Sequence, residues 1–239
     1  MERGWSWDGH SGVVIAGCAL AVACVSERGP LTNRMSQSAT SYLTRAARQP
    51  VNWQPWGRDA FALALRLDRP VLLYVGGEGC RWCAETDRAI YTDPEIGALI
   101  NDLFVPIRVD RDERPDIAQR YQAIVDRLVG LRGWPLTVFL TADGAAFFGG
   151  TYFPADDPIT GRGLKQILPE VAASYRDRRA FVEQQAARVR RLTRAASPGR
   201  GARRSGDGED VLPAAELPRE LAIVREELAA ALRARALPA

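Results

Sequence analysis

Cys80-Arg81-Trp82-Cys83 is the feature that most limits what this chain can fold into, because of what flanks it. Ahead of it runs Val71-Leu72-Leu73-Tyr74-Val75, five apolar residues closed by Gly76-Gly77. That pattern suits a strand buried on both faces. Residues 80–90 then read as a helix. Strand, glycine-rich turn, CxxC and helix, in that order, put Cys80 at a helix N-terminus. Unpaired N–H groups and the macrodipole favour a thiolate there, and Arg81 adds a positive charge beside it. Such settings bring a cysteine pKa from about 8.5 into the range of roughly 3.5 to 7.5; Glu78 and Glu85 oppose the shift. Two intervening residues on a first helical turn bring the second sulfur within disulfide reach. Cys80 is expected to be exposed and nucleophilic. Cys83, one turn in, is expected to be more buried and to resolve a mixed disulfide.

A CxxC has other readings. As half of a zinc site it needs two more ligands. Outside the motif only Cys18, Cys24 and His10 remain, all close to the N-terminus. A pair of merely structural cysteines is the other alternative, and the βαβ context favours redox chemistry over both. With one histidine in 239 residues, a Ser-His-Asp triad and a histidine metal cage are excluded. No metal and no cofactor is expected. A net charge of +3 is too mild to argue for nucleic acid.

A second feature agrees with the first. In Gly133-Trp134-Pro135-Leu136-Thr137-Val138-Phe139 a proline immediately precedes a strand. Given the CxxC, a cis Trp134–Pro135 bond is expected, the alternative being a plain trans proline at a strand start; a cis X-Pro bond would be a deliberate feature. It would turn the Trp134 backbone outward, where a substrate peptide could pair with it as an added strand. Arg81, Trp82, Trp134 and Pro135 are therefore the candidate substrate-binding residues beside Cys80 and Cys83.

Around this centre the periodicity predicts a short helix over 38–48 and an amphipathic helix over 56–67. A third helix should be opened by Asp93-Pro94 as cap and first residue. A strand is expected over 104–109, placed at a sheet edge because Pro106 cannot donate to a ladder. A helix over 116–128 leads to a hairpin of strands 136–140 and 145–148, joined at Ala142-Asp143-Gly144. A long helix over 164–192 should bend near Pro169. Residues 195–213, rich in Gly, Ser and Arg, read as a flexible linker. Residues 214–239 carry a terminal amphipathic helix, with Leu221, Val224, Leu228 and Leu232 on one face.

Residues 13–25 (VVIAGCALAVACV) are apolar but too short to span a hydrocarbon core of roughly 30 Å. They have the length of a signal-peptide apolar region, with Ala21-Val22-Ala23 as a cleavage pattern. Ile15-Ala16-Gly17-Cys18 and Ala21-Val22-Ala23-Cys24 resemble lipobox sequences. Residues 1–31 are thus expected to be a signal or lipoprotein-like leader, with a membrane tether through the N-terminus and a cell-envelope location. A buried helix in a cytoplasmic protein is the alternative.

Several segments together resemble the thioredoxin-like domain of the DUF255 proteins, the group that includes spermatogenesis-associated protein 20. They are Asn33-Arg34-Met35-Ser36-Gln37-Ser38, Pro50-Val51-Asn52-Trp53-Gln54-Pro55-Trp56, Cys80-Arg81-Trp82-Cys83, Val109 to Ile117, Gly133 to Thr141, and Phe148-Gly149-Gly150-Thr151-Tyr152-Phe153-Pro154. The resemblance implies a thioredoxin-like α/β fold over 32–194, with a mixed central sheet flanked by helices. Two departures stand out. The family pattern reads C-H-W-C-H, and here Arg81 and Ala84 replace the histidines, with Arg81 keeping a permanent charge. Longer members carry an α-helical toroid domain after this part, and its role is not carried over.

Thioredoxins also hold a buried acid six residues before the first cysteine. Tyr74 stands there, leaving water or Glu78 to take the proton of the resolving thiol. The polar run Asp110-Arg111-Asp112-Glu113-Arg114 is expected to form either a salt-bridged corner or a substrate-facing rim. The functional expectation is a thiol–disulfide oxidoreductase acting on protein or small-molecule thiols and disulfides, with a redox partner. The alternative is a non-catalytic thioredoxin-like binding module or redox switch.

Overall fold

The structure, a computed structural model, describes residues 31–157 and 162–195. The expected leader, the linker beyond residue 195 and the terminal helix lie outside the described residues, as do Cys18, Cys24 and His10.

The chain enters through a 3-10 turn at Met35–Gln37 and helix α1 (Ser41–Arg45), whose N-terminus is capped by the Thr40 hydroxyl accepting the Leu43 N–H. There follow β1 (Gln54–Pro55), α2 (Arg58–Leu67), β2 (Val71–Gly76), α3 (Arg81–Thr86), α4 (Pro94–Leu103) and β3 (Val105–Asp110). After α5 (Pro115–Val129), β4 (Leu136–Leu140) and β5 (Ala146–Gly150) form the hairpin, and α6 (Leu164–Asp177) and α7 (Arg179–Ala195) close the domain.

The five strands form one sheet in the order β1-β3-β2-β4-β5. β1 and β2 both run parallel to β3, whereas β4 is antiparallel to β2 and to β5. β2 is therefore central, and every residue in it is buried. Its side chains alternate between two apolar layers. Leu72 and Tyr74 join Met35, Trp53, Tyr91, Phe104 and Phe139 on one face. Val71, Leu73 and Val75 join Ile107, Tyr121, Val125 and Val138 on the other. A continuous apolar run of this kind is what a strand covered by helices on both sides requires.

Three expectations are corrected in detail. β3 is not an edge strand, since β1 pairs with it at Ile107 and Arg108. Pro106 is tolerated because the Val105 N–H is directed at Pro70 in the β2 direction. The next residue's nitrogen thus faces away from β2, and β1 reaches no further back than Ile107. The long C-terminal helix is broken at Arg178 (φ −128°, ψ 41°) and not at Pro169, which lies inside α6. A proline removes one backbone hydrogen bond, and the apolar face of α6, from Leu164 and Ile167 to Val171 and Tyr175, is buried on both sides of it. Finally, the helix expected over 80–90 begins at Arg81 and widens into a π-type turn at Asp87–Tyr91. By contrast, Asp93 caps α4 as expected, accepting the Glu95 and Ile96 N–H groups, with Pro94 as first residue.

Candidate active site

The central strand delivers the site. β2 runs into Gly76-Gly77 and then a turn that Gly79 completes at φ 69°, a backbone conformation that glycine adopts freely. The chain emerges at Cys80, the N-cap of α3, whose sulfur accepts the Cys83 N–H at 3.2 Å. Cys80 and Cys83 stand at disulfide-bonding distance with Cα atoms 5.2 Å apart. Cys83 is the more buried of the two, as expected, being fully buried, whereas Cys80 is half-buried and not exposed as expected. The Trp134–Pro135 bond is cis, as expected. In the β2–β4 register Val75 pairs with Leu136, so Pro135 stands level with Gly76, where the strand hands over to the turn.

The remaining candidates lie as follows. Trp82 is exposed, its ring 5.3 Å from that of Tyr152. Arg81 is exposed and lines, with Cys80, Glu78, Tyr42 and Arg48, a cavity of about 580 Å³. Trp134 lies under Arg111, whose guanidinium is 5.3 Å from the indole centroid. The polar run after β3 is chiefly a corner: the Asp110 carboxylate accepts the Asp112 N–H, and Arg114 pairs with Asp116. Arg111 ties that corner to Trp134, on the proline side of the site. Glu78 is held at the rim by Arg45, 2.7 Å away, and this hydrogen bond keeps its carboxyl below the usual range.

Beneath the cysteines lies a polar cluster that sequence reasoning did not anticipate. Arg108, on β3, is 1% exposed and makes a two-pronged pair with Asp87, both bonds 2.7 Å. Its guanidinium lies 4.4 Å from the Tyr42 centroid, 5.0 Å from that of Tyr74 and 5.6 Å from that of Trp53. The π-type turn brings Asp87 to this arginine and sends Tyr91 into the core. Burial works against the Arg108 charge, but Tyr42 and Asp87 hold its pKa above the ordinary arginine value. Burial also pushes the hydroxyls of Tyr42, Tyr74 and Tyr91 above the usual tyrosine range. Tyr74, where thioredoxins hold an acid, donates to the Cys83 carbonyl at 3.5 Å. The one available signal was an arginine inside an otherwise apolar strand.

A CxxC that caps the helix after a central strand, with a cis-proline on the adjacent antiparallel strand level with the end of that central strand, defines a thioredoxin-like protein. More closely, the chain belongs to the DUF255 family: residues 32–194 match the family described as Thioredox_DsbH, protein of unknown function, DUF255. It is 36% identical to spermatogenesis-associated protein 20 of Rattus norvegicus over 157 residues, 66% of this chain and 20% of that one. The chain thus spans about a fifth of the length of the curated relatives it matches. Among solved structures it resembles a DsbH oxidoreductase (17% identity, TM-score 0.40, covering 59% of this chain and 92% of the other). It also resembles a thioredoxin from Thermus thermophilus (25% identity, TM-score 0.36, covering 52% and 89%).

Proposed function

We propose that this domain is a thiol–disulfide oxidoreductase in which Cys80 is the nucleophile and Cys83 the resolving thiol. The observation that carries the proposal is the asymmetry of the pair. One sulfur is accessible at a helix N-terminus, and the other is sealed beneath it within bonding reach. In the reduced protein the Cys80 thiolate attacks a substrate disulfide and forms a mixed disulfide, and the first substrate sulfur leaves as a thiolate. The Cys83 thiolate then attacks Cys80 Sγ, closes the Cys80–Cys83 bond and expels the second substrate sulfur. Two electrons pass to the substrate, and the protons of the two protein thiols are made good on the products. Arg81 and Trp82 follow the reacting cysteine on the first turn of α3, and Trp134 and Pro135 would receive a substrate strand. Protein or small disulfides are the substrate class, and a separate redox partner resets the pair.

Cys83→Ser is expected to accumulate mixed disulfides through Cys80, visible by mass spectrometry, and the wild type to turn over in an insulin-reduction assay. If Cys83→Ser traps nothing and a thiol probe does not label Cys80 selectively, the proposal fails. A second reading, a binding module with a vestigial or regulatory cysteine pair, is favoured by Arg81 and Ala84 at the family's histidine positions. Absence of turnover with partner binding retained in Cys80→Ser would establish it. For the apolar leader we propose export or lipid tethering to the cell envelope; the mass of the mature N-terminus tests this.

A further inference from the structure

The cluster beneath the cysteines contains an unused hydrogen-bond donor. Tyr42 is 3% exposed, and its hydroxyl faces that of Tyr74 but makes no hydrogen bond of normal geometry. A Cβ on Gly76 would run into that hydroxyl and would lie 3.2 Å from Cys83 Sγ. The hydroxyl and the sulfur therefore border the same space, the one that a glycine at the end of β2 leaves open. A disulfide sulfur is a weak acceptor, whereas a thiolate is a strong one.

The other charged and titratable groups around this space have their own partners or face elsewhere. Tyr74, on β2, is directed at the Cys83 carbonyl. Arg108, on β3, and Asp87, on the π-type turn, neutralise each other. Asp110, at the end of β3, accepts the Asp112 N–H. The Tyr91 hydroxyl, also without a hydrogen bond of normal geometry, faces Thr137. Glu78 stays at the rim with Arg45.

We propose that the Tyr42 hydroxyl donates a hydrogen bond to the Cys83 thiolate when the pair is reduced, so that a phenol resting on a buried guanidinium sets the charge state of the resolving sulfur. Its meaning for turnover rests on the oxidoreductase reading above. Cys83 must lose its proton to water before it attacks Cys80 Sγ, and a donor aimed at the resulting thiolate favours that ionisation. The phenol keeps its own proton: burial raises its pKa. A carboxylate at the same level would act in the opposite sense, by like-charge repulsion. Stabilising the thiolate also stabilises the reduced protein, which makes the pair more oxidising.

The test is made on the full chain. In a Cys80→Ser background, ultraviolet thiolate absorbance reports the titration of Cys83. Adding Tyr42→Phe is expected to lower the thiol's ionisation constant about tenfold, the smallest factor for a hydrogen bond to a charged group. With both cysteines present, and at a pH above the Cys83 titration found in both proteins, Tyr42→Phe is expected to lower the reduction potential by about 30 mV, the equivalent of that factor for a two-electron couple. A folded Tyr42→Phe protein with an unchanged Cys83 titration overturns the proposal. Should that variant not fold, 3-fluorotyrosine placed at position 42 alone gives a fluorine resonance in the otherwise native chain. That resonance is expected to move on reduction and to titrate with Cys83; indifference to reduction at every pH overturns the proposal. Both readouts are independent of substrate. A protein that shows them and yet reduces no disulfide keeps this inference and loses the oxidoreductase reading.

Discussion

Removing the Asp87 carboxylate should destabilise the domain far more than its half-buried position suggests. Arg108 is 1% exposed on its side chain and Asp87 25%. In Asp87→Ala the guanidinium loses both 2.7 Å bonds and keeps only the Gln49 Oε1 contact at 3.5 Å. Breaking a buried pair by deleting one partner costs about 3–5 kcal/mol, because a charge is left uncompensated. We place this case at about 3 kcal/mol, the low end, since some water already reaches the Asp87 side of the pair. For a domain of this size that corresponds to a fall in Tm of roughly 6–12 °C. Arg108→Met should cost less. It forfeits the stacking on Tyr42, Tyr74 and Trp53 but strands only a carboxylate that water can hydrate, and methionine fills much of the volume. The double variant should match Arg108→Met alone, a strong departure from additivity. Urea unfolding of the oxidised wild type and the three variants, followed by circular dichroism, measures all four corners. If Asp87→Ala lies within about 0.5 kcal/mol of wild type, the size expected of a neutral surface change, or if Arg108→Met is the worse of the two, the account of the buried pair is wrong.

Two further outcomes rest on local geometry. Gly76→Ala should cost about 1–3 kcal/mol by overpacking, since its methyl would collide with the Tyr42 hydroxyl and crowd Cys83; Gly57→Ala, where a Cβ meets nothing within 4 Å, is the comparison. Asp93→Ala should cost about 1 kcal/mol through the lost cap of α4. Partial burial raises the Asp93 pKa, but the Glu95 and Ile96 N–H groups and Lys165 outweigh it and leave the carboxyl below its ordinary value. A depressed carboxyl stabilises the fold above its unfolded pKa, about 4, and that contribution is lost as pH falls through the folded value. The wild-type and Asp93→Ala stability curves should therefore converge below about pH 4; a gap that stays constant down to pH 2 would contradict this.

What could be read from the sequence was whatever is local along the chain. β2, the CxxC helix and the Asp93-Pro94 cap are each specified within a few consecutive residues, by apolar run, turn chemistry and capping. The same holds for Pro135, whose place before a strand is a dipeptide property. Features that depend on which strands become neighbours were not legible. β1 is two residues long, too short to leave a periodic signal, yet it turns β3 from an edge into an interior strand. The Arg108 cluster draws its members from α1, β2, β3 and the π-type turn, so no window of sequence contains it.

The position six residues before Cys80 carries the same lesson into the chemistry. Taken alone, Tyr74 means a missing acid and a poorly served resolving thiol. Taken with its neighbours, it is one wall of a phenol-lined pocket around the Arg108–Asp87 pair, where a Cβ on Gly76 would meet the Tyr42 hydroxyl and lie 3.2 Å from Cys83 Sγ. A carboxylate beneath the pair would resist formation of the Cys83 thiolate, whereas the hydrogen bond proposed from Tyr42 would favour it. On that proposal, a phenol donor in place of an acid stabilises the reduced pair and makes it a stronger oxidant.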